Sequence, residues 1–167
     1  MLLTALQQTI VRLCEDHEKS ESKKPGFKPS VVLGPYFIKY GDCSLFPQYR
    51  TQQYLYEKAI GDESAPRIPK VYDYFCPEEK MSYFVMEYIH SKPTLVRNAP
   101  EKVADALQWL YRLPAPPDVV IGPPGGGLAY HTLFKDFEAP LPFSSKEALQ
   151  RYMNKVVSRL FVLFASC

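Results

Sequence analysis

The sequence predicts an α+β fold: an antiparallel sheet crossed by one helix, with a helix ahead of it and further helices behind. Three observations carry that expectation. Aromatic and β-branched runs come in two pairs, Val31–Leu33 with Tyr36–Tyr40 and Ile68–Phe75 with Met81–Ile89. A helix-forming stretch, Pro47 to Ile60, lies between the pairs. After the last strand, helical periodicity alternates with Pro/Gly-rich text.

Each element has a local reason. Leu3, Leu6, Ile10 and Leu13 recur at helical spacing with polar residues between them, which predicts an amphipathic opening helix. Glu15 to Lys28 is charged and broken by Pro25 and Gly26, and reads as a mobile linker. Gly34-Pro35 separates the first two strands and predicts a hairpin, ended by Gly41-Asp42. Pro47 suits a first helical turn and Gly61 the position past the last, with Tyr54, Leu55 and Ala59 as inward positions. Cys76 to Lys80 is a charged turn between the second pair of strands. Pro100-Glu101 opens a helix that places Val103, Ala104, Leu107, Leu110 and Tyr111 on one face. A final helix is expected over Ser145 to Phe164, with Ser145 as its cap and Glu147 in its first turn.

Composition narrows the function classes. The chain has 167 residues, enough for one compact domain, and 46% of them are hydrophobic, enough for a core. Twelve Tyr and ten Phe against one Trp suit strands. A net charge of +2 is no electrostatic footprint for nucleic acid. No apolar run approaches the ~20 residues of a membrane span, and the opening residues lack the pattern of a signal peptide. Cys14, Cys43, Cys76 and Cys167 form no CxxC pair and have no His at ligand spacing, so they read as reduced thiols in a cytoplasmic protein.

Within Val31 to Val157, VVLGPYFIKYGD is followed by QYRTQQYLYEKA, then by RIPKVYDYF and YFVMEYIHSKPTL. This text resembles the N-terminal lobe of the fungal aminoglycoside-phosphotransferase and protein-kinase-like family, most specifically in IPKVYDYF and YFVMEYI. The resemblance implies residues 1–28 as a leading helix and linker, 29–92 as the kinase-like lobe, and 93–167 as the helical start of a second lobe.

The resemblance also implies a nucleotide site. Lys39 takes the place of the strand lysine that steadies the phosphates. Met86 guards the back of the adenine pocket, and the Glu87 carbonyl and Ile89 amide face the adenine edge. The alternative for Lys39 is a surface lysine snorkelling from a strand, and for Met86 and Ile89 it is ordinary sheet core. The family's lysine pairs with a helix glutamate. Here Gln48 stands in that place, and Glu57 serves only through a different register. ATP and magnesium are the implied cofactors, weakly held.

The departures concern chemistry. No GxGxxG or GxxxxGK occurs, and Gly125-Gly126-Gly127 after Pro123-Pro124 reads as a flexible loop. No His-x-Asp core occurs: His17, His90 and His131 are followed two residues on by Lys19, Lys92 and Leu133. Asp136 precedes Phe137 and Glu138 and is not a metal-binding Asp-Phe-Gly. The expectations are therefore no catalytic residue, no metal site, and a lobe inactive alone. The alternative is a non-catalytic, pseudokinase-like module that takes a protein partner or self-associates, with Leu160 to Ala165 in its apolar face. The ending SRLFVLFASC is also open to being a premature termination.

Overall fold

A computed structural model describes residues 2–41, 45–77, 81–90, 99–115, 121–124, 126–132, 134 and 138–164, without the side chains of 99 and 157–164. It divides into two compact units, Met1–Pro114 and Ala115–Cys167. The first holds α1 (Ala5–Glu21), β1 (Ser30–Leu33), β2 (Tyr36–Gly41), α2 (Leu45–Ala59), β3 (Val71–Phe75), β4 (Ser82–Glu87) and α3 (Ala99–Arg112). The second holds α4 (Lys146–Phe164).

The four strands form one antiparallel sheet in the order β1-β2-β4-β3. Gly34 closes the β1–β2 hairpin at φ +56, a left-handed conformation that residues with a Cβ adopt at a cost. The chain leaves β2, crosses as α2 and returns as β3 on the far side of β4. This is the strand–strand–helix–strand–strand arrangement expected, and it is compatible with a kinase-like N-lobe.

Side chains alternate across a strand, so the aromatic runs feed two cores. Towards α1 lie Ile38, Tyr40, Phe75, Tyr83 and Val85, packed with Ile10 and Cys14. On the opposite face Phe84 and Met86 cluster with Leu45 of α2, bordered by Phe37, Tyr49 and Tyr74. Burying each large apolar side chain stabilises the fold by about 1.5–3 kcal/mol. Stacked pairs add geometry: Phe75 on Tyr83 at 4.9 Å and Tyr49 on Tyr74 at 4.8 Å between ring centroids.

The helices depart from the expected faces. α1 starts at a capping box, in which Thr4 Oγ1 accepts from the Gln7 N–H and Gln7 Oε1 accepts from the Thr4 N–H. It runs through the charged stretch to Glu21, so the segment from Glu15 is helix and the linker shorter than expected. His17 explains part of this extension: its Nδ1 lies 2.7 Å from the Tyr40 hydroxyl, and its ring stacks on Phe27 at 5.4 Å. Of the predicted inward stripe only Ile10 is fully buried, joined by Cys14.

In α2 the core positions are Leu45 and Tyr49, and Tyr54, Leu55 and Ala59 are only half-buried. The second half of the helix is held by polar bonds. Gln52 Nε2 donates to the Pro69 carbonyl at 2.9 Å, and the Tyr54 hydroxyl donates to the Pro114 carbonyl.

In α3 the expected apolar face points outward. Val103 is 57% exposed, Leu107 51% and Tyr111 89%, while the buried residue is Trp109. The helix is anchored by that indole, whose Nε1–H donates to Asp62 Oδ2 at 2.8 Å.

In the second unit Phe134, Ala139 and Phe143 form a small core with Leu149 and Tyr152 against it. Ser145 Oγ accepts from the Ala148 N–H at 3.1 Å, the cap expected for α4. A Cβ on Gly122 would meet the Gly127 carbonyl oxygen at 2.9 Å, which fixes glycine there. Gly125, Asp136, Phe137, Ala165, Cys43 and Cys167 lie outside the described residues, as do the side chains of Leu160 to Phe164. Among the described residues no helix is long and apolar enough to cross a membrane, and no group of His, Cys, Asp or Glu could hold a metal ion.

Candidate functional site

Lys39 is the one charged residue of β2 and falls on the face of the sheet that α2 covers. It pairs across the ladder with Phe84, and its side chain is half-buried. Its Nζ donates to Gln48 Oε1 at 3.5 Å, a long hydrogen bond near the exposed start of α2. The amide oxygen thus stands where a carboxylate would make an ion pair. Among the described residues Lys39 makes no ion pair.

Glu57 sits two and a half turns further along α2, about 13 Å along the axis from Gln48. It is exposed, and it lines a separate cavity with Tyr49 and Gln53. The structure therefore brings Lys39 together with Gln48, and Glu57 does not enter that contact.

Met86 shares the sheet face of Lys39. It lies two residues beyond Phe84 on β4, directly opposite Phe37, and is buried in the cluster with Leu45 and Phe84. A diagonal step of this kind sets Lys39 and Met86 roughly 7–8 Å apart between Cα atoms.

At the end of β4, Glu87 uses both backbone and side chain. Its N–H donates to the Lys70 carbonyl at 2.8 Å, so its backbone groups point away from β2 and towards the segment ahead of β3. Its carboxylate accepts from Arg67 Nη2 at 2.6 Å and from the Lys70 N–H at 3.3 Å. The Arg67 bond first, then the Lys70 N–H, hold that carboxyl below its ordinary range. The next residue, Tyr88, donates its N–H to the Pro35 carbonyl at 2.8 Å and ties the strand end to the β1–β2 turn. Ile89 follows, half-buried.

Two polar contacts had no local signal in the sequence. The first is the Trp109–Asp62 hydrogen bond. Bonds from Ser64 and from Trp109 lower the Asp62 pKa, so the folded state holds the carboxylate more firmly than the unfolded chain does. The stabilisation is then present above the ordinary value of 3.8 and is lost as the pH falls through the lower folded value. The chain has a single tryptophan, so its fluorescence reports this contact. The expected outcome is a red shift of emission as the pH drops below 3.8, absent in Asp62→Asn. The same titration in the variant would contradict the assignment.

The second is the His17–Tyr40 contact beside Cys14. Burial pushes the Cys14 thiol up to about 12, which makes it an inert core thiol. Burial, and then hydrogen bonding to Glu18, raise the Tyr40 phenol as well. These groups fasten α1 to the sheet.

No protein-family model, no curated protein and no solved structure matches the chain.

Proposed function

We propose that this chain is a kinase-like N-lobe, similar to that of aminoglycoside phosphotransferases, which holds ATP weakly and does not complete phosphoryl transfer by itself. The observation that carries the reading is the placement of Lys39. A lone strand lysine lies on the helix-covered face of an antiparallel sheet, with its Nζ 3.5 Å from Gln48 on the crossing helix. A cation so placed suits phosphate oxygens, and a neutral amide partner leaves its charge uncompensated. In the proposed site the Glu87 carbonyl and the Ile89 amide would meet the adenine edge, as the resemblance implies; Glu87 turns its backbone groups away from β2, so this half lies across β4 from the strand of Lys39. Residues two apart on an extended chain turn their backbone groups to the same edge, which matches the donor–acceptor edge of adenine. No histidine of these residues is followed by the aspartate that would orient an attacking hydroxyl, so turnover is expected to be negligible.

The test is thermal unfolding of the chain with and without Mg-ATP, beside Lys39→Ala. A ligand selective for the folded state raises the melting temperature: at 100 times its Kd it adds about 2.7 kcal/mol. The expected result is a rise in the parent chain that the variant loses. A cooperative melt with no shift at millimolar nucleotide would sink the proposal.

One observation favours a second reading, a non-catalytic module that self-associates or takes a protein partner. The apolar stripe Val103, Leu107, Leu110 and Tyr111 of α3 is exposed, a pattern that marks association surfaces. The absence of any nucleotide shift in the same melts leaves that reading standing.

A further inference from the structure

Helix α3 is covered along one narrow line. From Pro100 to Arg112, Trp109 is buried and Ala106 half-buried, and every other side chain is exposed. The face turned away from the indole is apolar: Val103, Leu107 and Tyr111 recur at i, i+4 and i+8, with Leu110 beside them. Tyr111 stands furthest into solvent, at 89% exposure. A shallow hollow of about 600 Å³ opens beside Ala104, two turns before that ring, lined also by Asp105, Leu107, Gln108 and Tyr111 itself. One helix thus carries both a projecting ring and a recess over a small residue.

Charge follows one flank of the same face. Glu101 lies in the first turn and Arg112 in the last. They are eleven residues apart, about three turns, so they fall on the same side of the helix. Both are exposed, and among the described residues neither makes an ion pair. Lys102 falls on the other side, next to Trp109.

Ring with recess and acid with base, all on one helix, make a self-complementary surface: in a two-fold contact residue i meets j and j meets i. We propose that α3 pairs with α3 of a second copy of this chain, antiparallel, about a two-fold axis at Leu107. The inference rests on the second reading above, in which the stripe is an association surface, and names its partner. Leu107 meets its own symmetry mate, and Val103 meets the second copy's Leu110. Tyr111 enters the recess over the second copy's Ala104, and the contact repeats with the roles exchanged. Glu101 falls opposite Arg112 twice, because the flank that carries them faces itself when the helices run in opposite directions. A parallel pair would set Glu101 beside Glu101 and Arg112 beside Arg112, so charge selects the antiparallel one. A different protein would cover the apolar side chains as well; the match of ring to recess and acid to base within one helix is what favours a second copy. A single helix pair is smaller than a standard interface, so the dimer is weak, with a Kd on the order of 100 µM.

The test is sedimentation equilibrium of the whole chain at low ionic strength, from about 10 to about 500 µM. The expected result is a mass that rises from one copy to two and stops there, since a two-fold contact closes. Tyr111→Ala, at an exposed helix position, should weaken dimerisation about tenfold and leave the melting temperature unchanged. Arg112→Glu should weaken it about fivefold, and Glu101→Arg combined with Arg112→Glu on one chain should restore most of that loss. A neutral gadolinium chelate in the same samples reports which methyl groups face solvent. A chain that stays monomeric at every concentration overturns the proposal. If the chelate then broadens the Leu107 and Leu110 methyls, the stripe is open and the association reading stands for a different protein. If it does not, the stripe is covered within the chain and that reading falls too. A dimer indifferent to Tyr111→Ala and to the charge variants also overturns the proposal.

Discussion

Replacing Phe84 with alanine is expected to remove about 3–5 kcal/mol of unfolding free energy, the usual cost of emptying a large aromatic site in a core. Among the described residues Phe84 is the largest fully buried side chain, at 2% exposure. It sits on a central strand, faces Lys39 across one ladder and Tyr74 across the other, and meets the Tyr49 ring at 5.9 Å. The cavity would lie under α2, where Leu45 and Met86 are fixed by their own strand and helix backbones and cannot collapse far. Small domains hold roughly 5–15 kcal/mol in all, so the variant should be marginal. Urea unfolding by circular dichroism measures the loss. A change below about 1 kcal/mol would mean that α2 does not cover this face, and the contact between Lys39 and Gln48 would fall with it.

The second large effect is expected at Ile10. It is 1% exposed and, with Cys14 one turn on, forms the contact of α1 with the sheet. Ile10→Ala should cost about 2–5 kcal/mol. It should also open the helix before the sheet unfolds, because local opening follows the weakest contact layer. Cys14 reports this opening directly. Buried at 1% and with its thiol pushed up to about 12, it should not react with a disulfide reagent in the parent chain at neutral pH. In Ile10→Ala it should react at a rate above that of the parent, and Cys14→Ser in the same background should abolish the extra reaction. Equal reactivity with and without Ile10 would show that α1 is not held where described.

Much of the sheet was legible because period-two aromatic runs bounded by Gly and Pro have few alternatives to strands. Lys39 stood out for the same reason, as a lone charge in an apolar run. Gln48 was set against it by what the family resemblance implies, and the two side chains do meet. Helix faces were harder to read. In α3 the apolar periodicity marked Val103, Leu107 and Tyr111, yet Trp109 is the buried residue, because Asp62 supplies an indole partner that no local pattern reveals. In α2 the tyrosines are distributed around the helix, so periodicity could not choose between Tyr49 and Tyr54 as the core residue. The continuation of α1 past Cys14 likewise depends on a distant group, Tyr40, that binds His17. The burial of the Gln53 side-chain oxygen, which has no partner among the described residues, was invisible for the complementary reason: a glutamine in an exposed-looking helix carries no sign that its oxygen will be buried.

The most direct test of the nucleotide site is to map backbone amide shifts on addition of Mg-ATP. Saturable shifts are expected at Lys39, Met86, Glu87 and Ile89, with Tyr56 and Glu57 unmoved and with the pattern lost in Lys39→Ala. Saturation confined to other residues, or no shift at millimolar nucleotide in a folded chain, would contradict it.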